Sequence, residues 1–455
     1  MKNGQRQLQI AIEIILALLF CLTPLAFASA APIYHPPIWI ACSILLALDI
    51  ALLRRRGLHR PVGRRKFTYH LPLLALWLFG LFLLMQLVML LPIPRAVVAA
   101  LVRYPVHGGF WSTIHPHVEI GFRSMMDWGS AFVVLFVMLT FPDSRAQIRH
   151  LAYVILGSAG FQAVYGIMEY AGGRQQILWY EKVAYLESAT GTFVNRNHFA
   201  DYLAMALCLA FGVFAYQYQK ARNQVIRDGG LWERLLLLSF YLVVVLAGLT
   251  MSRSRGGLVA FFLGGTFFAL FVSKVNRKLV AGGFVVLIVL VIIFSVWLGV
   301  DPAPSRFAEI HEDATTIDAR PAVWKESLII FSHAPVFGVG GGMFASAFSS
   351  LSSGNVLANY RYAHSDYLQT LTEFGTVGFL LLYGGIFLIF YQSLAAVTAR
   401  KSKFAGYFTR GALSACVVFL AHSFLDFNMQ IMANRILFFA LLGMAYVTAQ
   451  MRMTR

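Results

Sequence analysis

Four arginines and one histidine stand at the ends of long apolar segments or in the polar stretch between two of them, among polar neighbours. They are Arg196, Arg253, Arg255, Arg320 and His364. Guanidinium groups keep their charge and hold phosphate oxygens through paired hydrogen bonds. A histidine at a water interface exchanges a proton near neutral pH. These residue types predict a site that binds a phosphorylated ligand and takes a proton from a second one.

Two of the arginines belong to one short connection between apolar runs, Ser252-Arg253-Ser254-Arg255-Gly256-Gly257. The small residues there let a ligand approach the backbone closely. A helical turn with snorkelling arginines is the alternative interpretation. Arg196 follows Asn195 in a segment dense in polar side chains, directly before another apolar run. The alternative interpretation of Arg196 is an anchor at the membrane interface.

A long polar stretch from about 301 to 364 carries the other two candidates. Asp318 is a plausible helix N-cap, and the helix stops before a proline at position 335. Its apolar stripe is Trp324, Leu328 and Phe331. We therefore expect an amphipathic helix on the outer face of the membrane, with Arg320 near its N-terminus.

His364 ends this stretch and is the best candidate for a general base, although an isolated interfacial histidine is as often structural. Asp366 is expected to orient His364 or another donor. His422 and Asp426 stand four residues apart in a late apolar run, which predicts one shared helix face and either a supporting role in the site or a structural pair.

The composition excludes an ordinary soluble enzyme, since 59% of the residues are hydrophobic and only 13% are charged. Apolar runs long enough to cross the bilayer predict an all-α polytopic membrane protein with about twelve spans, the ninth at 279–299. The four cysteines lie inside apolar runs and match neither a disulfide pattern nor zinc spacing. His115-Pro116-His117 favours a wet interfacial loop over a metal site.

The net charge of +17 reflects topology, because Lys and Arg concentrate in alternate connections. This pattern places both termini in the cytoplasm and predicts contact with membrane lipid, with no nucleic-acid partner. We expect spans and short loops over 1–299, a large external loop over 300–365, and three further spans over 366–455. The first apolar run is expected to be a retained span, and a cleaved signal is the alternative.

Three motifs together resemble the O-antigen ligase and polymerase superfamily of bacterial polysaccharide assembly. They are the segment from Ser252 to Gly257, the segment from Arg320 to Trp324, and the segment from Ala363 to Gln369 that leads into Glu373-Phe374-Gly375. Ser365 stands where the family usually has asparagine. The resemblance covers about 190–400, and the topology extends it over the chain.

The resemblance implies an inverting glycosyl transfer without metal or other cofactor, on the periplasmic side of the bacterial inner membrane. The donor is a glycan on undecaprenyl pyrophosphate, and the acceptor for a ligase is the lipid A-core sugar. His364 would act as the base, and Arg196, Arg253, Arg255 and Arg320 would bind the pyrophosphate. Asn195, Trp324 and Asp366 would support them.

Lipopolysaccharide O-antigen ligase is the first expectation. An O-antigen or exopolysaccharide polymerase is second, and a protein O-oligosaccharyltransferase is third. From a different class, a transporter of lipid-linked sugar remains an alternative, although no internal repeat is visible and the polar residues gather at the outer helix ends.

Overall fold

The computed structural model describes residues 2–56, 72–102, 111–173, 175–223, 230–271, 320–353, 360–398 and 402–451. Within these ranges ten helices are long and apolar enough to cross a membrane. They are α1 (Lys2–Leu25), α2 (His35–Arg56), α3 (Leu73–Leu90), α5 (Val118–Thr140), α6 (Arg145–Ala171), α7 (Arg196–Asn223), α8 (Gly230–Met251), α12 (Asp366–Thr398), α13 (Lys403–His422) and α14 (Met432–Gln450).

Four shorter α-helices complete the α-helical part of the described chain: α4 (Arg95–Leu101), α9 (Arg255–Phe271), α10 (Arg320–His333) and α11 (Phe344–Leu351). Two small two-stranded antiparallel sheets pair β1 (Ile93–Pro94) with β2 (Trp111–Ser112), and β3 (Gln176–Ile177) with β4 (Tyr180–Glu181). The predicted all-α polytopic class is confirmed. The predicted ninth span at 279–299 and the predicted cap Asp318 lie outside the described residues.

Helix α14 forms the centre of the bundle and is buried along its length, packed against α5, α12 and α13. Helices α7 and α13 approach each other closely because glycines face each other. A Cβ on Gly411 would lie 3.0 Å from the Cα of Gly212. Small residues allow such close backbone packing between membrane helices, where van der Waals contact is a main driving force.

Successive spanning helices alternate in direction, which assigns the connections to two faces. The α1–α2, α6–α7 and α8–α9 connections lie on one face. The α13–α14 connection joins them there, because Asn197 at the start of α7 donates a hydrogen bond to Asp426. We call this the site face. The basic last turn of α2, Arg54–Arg56, lies on the opposite face.

Helix α12 is broken at Gly375, whose backbone has φ 63° and ψ −171°. The segment after α10 fills the break with backbone hydrogen bonds. The N–H groups of Thr376 and Val377 donate to the carbonyls of Pro335 and Val336, at 2.8 and 3.1 Å. In a membrane helix, groups freed by a break must be satisfied by neighbouring protein.

The same segment also donates to α12, since the N–H groups of Val339 and Gly340 bind the carbonyls of Thr372 and Glu373 at 2.9 Å each. A Cβ on Gly338 would lie 2.3 Å from the carbonyl carbon of Glu373. Gly338 therefore packs directly against the backbone of α12, and its own backbone has a positive φ of 75°.

Replacing Gly375 with alanine is expected to destabilise the protein by more than about 2 kcal/mol. Its Cβ would lie 2.3 Å from the Val336 carbonyl oxygen, and the backbone conformation there favours glycine. Thermal unfolding in detergent measures the loss. Gly384→Ala on the same helix is the control, because its nearest neighbour is the Leu78 Cδ1 atom at 3.5 Å. Equal melting temperatures for both variants would contradict the assignment.

Candidate active site

Asn195 caps α7, which fixes the direction of the next two side chains. Its Oδ1 accepts the N–H of Asn197 at 2.8 Å, the usual arrangement for an asparagine N-cap. Arg196 then donates from Nη1 to the Ser188 hydroxyl at 3.2 Å. Its guanidinium lies 5.3 Å from the centre of the Tyr185 ring. The predicted supporting residue Asn195 thus holds the predicted phosphate ligand Arg196 through the helix start.

The α8–α9 connection is the tight turn that the sequence predicts. Arg253 adopts a left-handed backbone with φ 53°, and its Nη1 donates to the Glu187 carboxylate at 2.9 Å. Its Nη2 donates to the Tyr170 hydroxyl at 3.3 Å. Arg255 begins α9, and its side chain is exposed. Arg196 and Arg253 therefore contact the same segment, residues 185–188.

Ser254 joins this turn to α7. Its hydroxyl accepts the N–H of Gly257 at 3.2 Å, which caps α9. The same hydroxyl donates to Asn197 Oδ1 at 2.8 Å, and Asn197 Nδ2 donates to Asp426 at 2.7 Å. A continuous chain of hydrogen bonds thus connects the arginine turn to the α13–α14 connection.

Asp426 is the point where four segments meet. Its carboxylate is 1% exposed and lies 3.8 Å from Arg320 Nη2 and 3.5 Å from His198 Nε2. It also accepts the N–H of Phe427 at 2.8 Å. Burial alone would raise the pKa of Asp426, but His198, His422 and Arg320 outweigh it and hold the pKa below its usual range. Asp426 is therefore ionised.

His364 lies beside this carboxylate, in the left-handed backbone conformation with φ 49°. Its ring packs edge-on against Phe427 at 5.0 Å, and His198 packs against the same ring at 4.7 Å. Among the described residues, the buried Nδ1 of His364 has no hydrogen-bond partner. Burial lowers the pKa of His364, and the charge of Asp426 partly opposes that shift. The imidazole is thus held mainly in its neutral, proton-accepting form near pH 7.

Helix α10, whose first described residue is Arg320, presents two of the predicted residues to the site. Arg320 faces Asp426, and one turn later Trp324 donates from Nε1 to the backbone carbonyl of His364 at 3.4 Å. Trp324 thus contacts the backbone that carries the imidazole. Its supporting role in the reaction stays a prediction.

The carboxylate of Asp366 binds donors other than His364. It accepts the Ser423 hydroxyl at 2.8 Å and the Met429 N–H at 2.9 Å. The Asp366 N–H itself donates to the carbonyls of Ser423 and Asp426. Asp366 therefore fixes the loop of residues 423–429, which carries Asp426.

The expectation that His422 and Asp426 share one face of a single helix is wrong. Helix α13 ends at His422, and Asp426 lies in the following turn. The carbonyls of Ser423 and Asp426 accept the N–H of Asp366 rather than continuing the helical ladder. His422 instead contacts Asp201 through Nδ1 at 3.1 Å. The two residues nonetheless belong to one polar network.

Asn197 and His198 are site residues that the sequence pattern did not single out, and Asp426 is one that it singled out only together with His422. Asn197 and His198 stand in the polar segment after Asn195, so the high density of polar side chains was the available signal for them. Asp426 carried only the signal of an ionisable residue inside an apolar run. The predicted residues Arg196 and Arg253 gather on residues 185–188, whereas Arg320 and His364 gather around Asp426. Asn197 and Ser254 connect the two groups.

Comparison with protein families places part of this site in a known group. Residues 240–383 match the family described as O-antigen ligase. No curated protein matches the chain. This match supports the superfamily predicted from the sequence motifs, and the matched segment contains Arg253, Arg255, Arg320 and His364. Arg196 and Asp426 lie outside that segment in sequence, but the folded chain places them beside its residues.

Breaking the buried ion pair beneath residues 185–188 is expected to destabilise the protein by about 3–5 kcal/mol. Lys182 Nζ donates to Glu169 at 2.6 Å and to the Ser188 carbonyl at 2.9 Å. Lys182→Met leaves the Glu169 carboxylate buried without its counter-charge. Thermal unfolding of the purified protein measures the loss.

The matched control is the double variant Lys182→Met with Glu169→Met, which removes both charges. It should recover part of the loss, because no unpaired charge stays buried. A single variant that melts like the unmodified protein would contradict a structural role for this pair.

Proposed function

We propose that this bacterial membrane protein, whose residues 240–383 belong to the O-antigen ligase family, is a lipopolysaccharide O-antigen ligase. It transfers a polysaccharide from undecaprenyl pyrophosphate to a sugar of the lipid A-core. The observation that carries the proposal is the chain of hydrogen bonds that joins the starts of α7 and α9 to Asp426. Asp426 in turn forms an ion pair with Arg320, and His364 packs on the neighbouring Phe427 on the same face of the membrane.

In the proposed reaction an acceptor hydroxyl attacks the anomeric carbon of the donor sugar. A new carbon–oxygen bond forms on one side of that carbon while the bond to the pyrophosphate breaks on the other, so the configuration inverts. His364 accepts the hydroxyl proton, because a general base must stand within hydrogen-bond reach of the group it deprotonates. Its neutral imidazole suits this role.

The leaving undecaprenyl pyrophosphate gains negative charge as the bond breaks. Fixed positive groups aimed at that charge lower the barrier because they need no reorganisation. We assign this role to Arg196, Arg253, Arg255 and Arg320. Ser188, Glu187 and Asp426 each contact one of these guanidiniums and so orient it before the donor arrives.

The proposed site face is periplasmic. Basic residues favour the cytoplasmic side of membrane proteins, and the Arg54–Arg56 turn lies on the face opposite the site. Lipid-linked glycan and lipid A-core would both reach the site from the outer leaflet. The termini of the chain would then face the cytoplasm.

The proposal is tested with purified protein in lipid vesicles, supplied with undecaprenyl-pyrophosphate-linked glycan and lipid A-core. Glycan joined to lipid A-core is the expected product. Glycan joined only to further lipid-linked glycan would identify a polymerase instead. If no glycan is transferred but the lipid-linked donor crosses the bilayer, the protein is a transporter and the proposal is overturned.

Replacing His364 with alanine is expected to lower kcat by about 10²–10⁴-fold while the donor still binds, because only the proton acceptor is lost. In the unmodified enzyme the rate falls as the pH drops through the pKa of His364, since the protonated ring accepts no proton. Burial lowers that pKa, so activity should persist below the ordinary value of about 6.5.

Transfer kinetics and a donor-binding assay over a range of pH provide both measurements. His333→Ala is the control. This histidine lies at the far end of α10 from Arg320 and contacts the Ile329 carbonyl, so full activity is expected. A fully active His364→Ala variant would remove His364 as the base.

Arg255→Ala is expected to weaken use of the donor by about 10- to 100-fold in kcat/KM, since a hydrogen bond to a charged group contributes about 1.5–3 kcal/mol. The exposed guanidinium is open to a ligand and stands at the start of α9. Arg149→Ala, near the start of α6 on the opposite face, is the control for loss of positive charge. Unchanged donor kinetics in the Arg255 variant would refute its phosphate role.

A further inference from the structure

The connection between α6 and α7 exposes apolar side chains although it lies outside the helices. Residues 175–188, which contain β3 and β4, form what we call the 175–188 hairpin. Trp179 and Val183 are each 80% exposed there. A water-facing loop rarely presents such a cluster, and contiguous exposed apolar surface marks an interaction site.

The hairpin folds back along α6 toward the membrane rather than away from it. At its tip, the N–H of Leu178 donates to the hydroxyl of Tyr165 at 2.7 Å. Tyr165 stands about 9 Å below the end of α6 at Ala171, given a rise of 1.5 Å per residue. The tip therefore lies beside the last turns of a spanning helix.

The surface next to the tip is apolar as well. Phe161, Val164 and Met168 are exposed on α6 and share a face by their spacing. On a membrane-spanning helix such exposed apolar residues face lipid. Trp179 also packs on Phe27 at 5.4 Å, and Phe27 stacks on Tyr34 at 6.1 Å in the α1–α2 connection, where the preceding residue Ile33 is exposed. The apolar patch is thus continuous with the lipid-facing surface.

We propose that the 175–188 hairpin inserts Trp179 and Val183 into the headgroup region of the lipid bilayer and so fixes the height of the arginine pair Arg196 and Arg253 above it. Tryptophan and tyrosine favour this interface because their rings are apolar with one polar group. The occupant of the surface is lipid, because the tip folds against a membrane-spanning helix.

The coupling to the arginines runs through the second half of the hairpin. Tyr185 and Ser188 contact Arg196, and Glu187 binds Arg253. The buried Lys182 ties this half to Glu169 on α6, so the hairpin moves as one piece with the helix end. The link between the hairpin and the arginines rests on the proposed function, because the diphosphate of a lipid-linked donor would lie at the height of the lipid headgroups.

Fluorescence quenching tests where Trp179 lies. The difference in emission between the unmodified protein and Trp179→Phe, in vesicles, isolates that residue. Lipids with a nitroxide near the headgroup should remove most of this difference signal, and aqueous iodide should remove little. Trp77→Phe is the control, because Trp77 is exposed on the spanning helix α3 and should also be quenched by the lipid label. Quenching of Trp179 by iodide and not by the lipid label would overturn the proposal.

Trp179→Ser tests the coupling, with Trp179→Phe as its conservative partner. The serine variant is expected to raise the KM for the lipid-linked donor several-fold with kcat kept, and the phenylalanine variant should not. An unchanged KM in the serine variant would overturn the coupling. Failure of the proposed transfer reaction would leave the quenching result intact, so the two failures are distinguishable.

Discussion

The buried carboxylate of Asp426 is the interaction on which the candidate site depends. A charge without partners in a low-dielectric interior costs several kcal/mol, and this one is 1% exposed. Its partners come from different parts of the chain: Asn197 and His198 from α7, and Arg320 from α10. The energetic requirement to satisfy one anion therefore brings α7, α10 and the α13–α14 connection together.

The broken helix α12 provides the rigid support for that arrangement. Its first half carries Asp366, which fixes the loop of residues 423–429, and Gln369, whose Oε1 accepts the N–H of Ala363 at 2.8 Å beside His364. The break at Gly375 then bonds to the segment that follows α10. His364 and the Asp426 carboxylate are thus positioned by one helix, while Arg320 is tied to that helix through the end of α10.

Local patterns in the sequence predict the parts of the site that local chemistry determines. The tight turn around Arg253 and the start of α7 after Asn195 each depend on residues close in sequence, and the described structure has both. The role of Asp426 depends on contacts with residues more than a hundred positions away. The four-residue spacing between His422 and Asp426 predicted one continuous helix face. That prediction was wrong, because hydrogen bonds from the Asp366 N–H to the carbonyls of Ser423 and Asp426 accompany the end of α13.

The partners of the arginines differ in a way that bears on how a diphosphate would bind. The Glu187 side chain is 81% exposed, and exposed ion pairs contribute only about 0–1 kcal/mol. A ligand with several phosphate oxygens can displace it from Arg253 at small cost. Asp426 is buried and held by several donors, so displacing it from Arg320 would cost far more. We therefore infer that a bound diphosphate exchanges with Glu187, while Arg320 contacts the ligand and Asp426 at the same time.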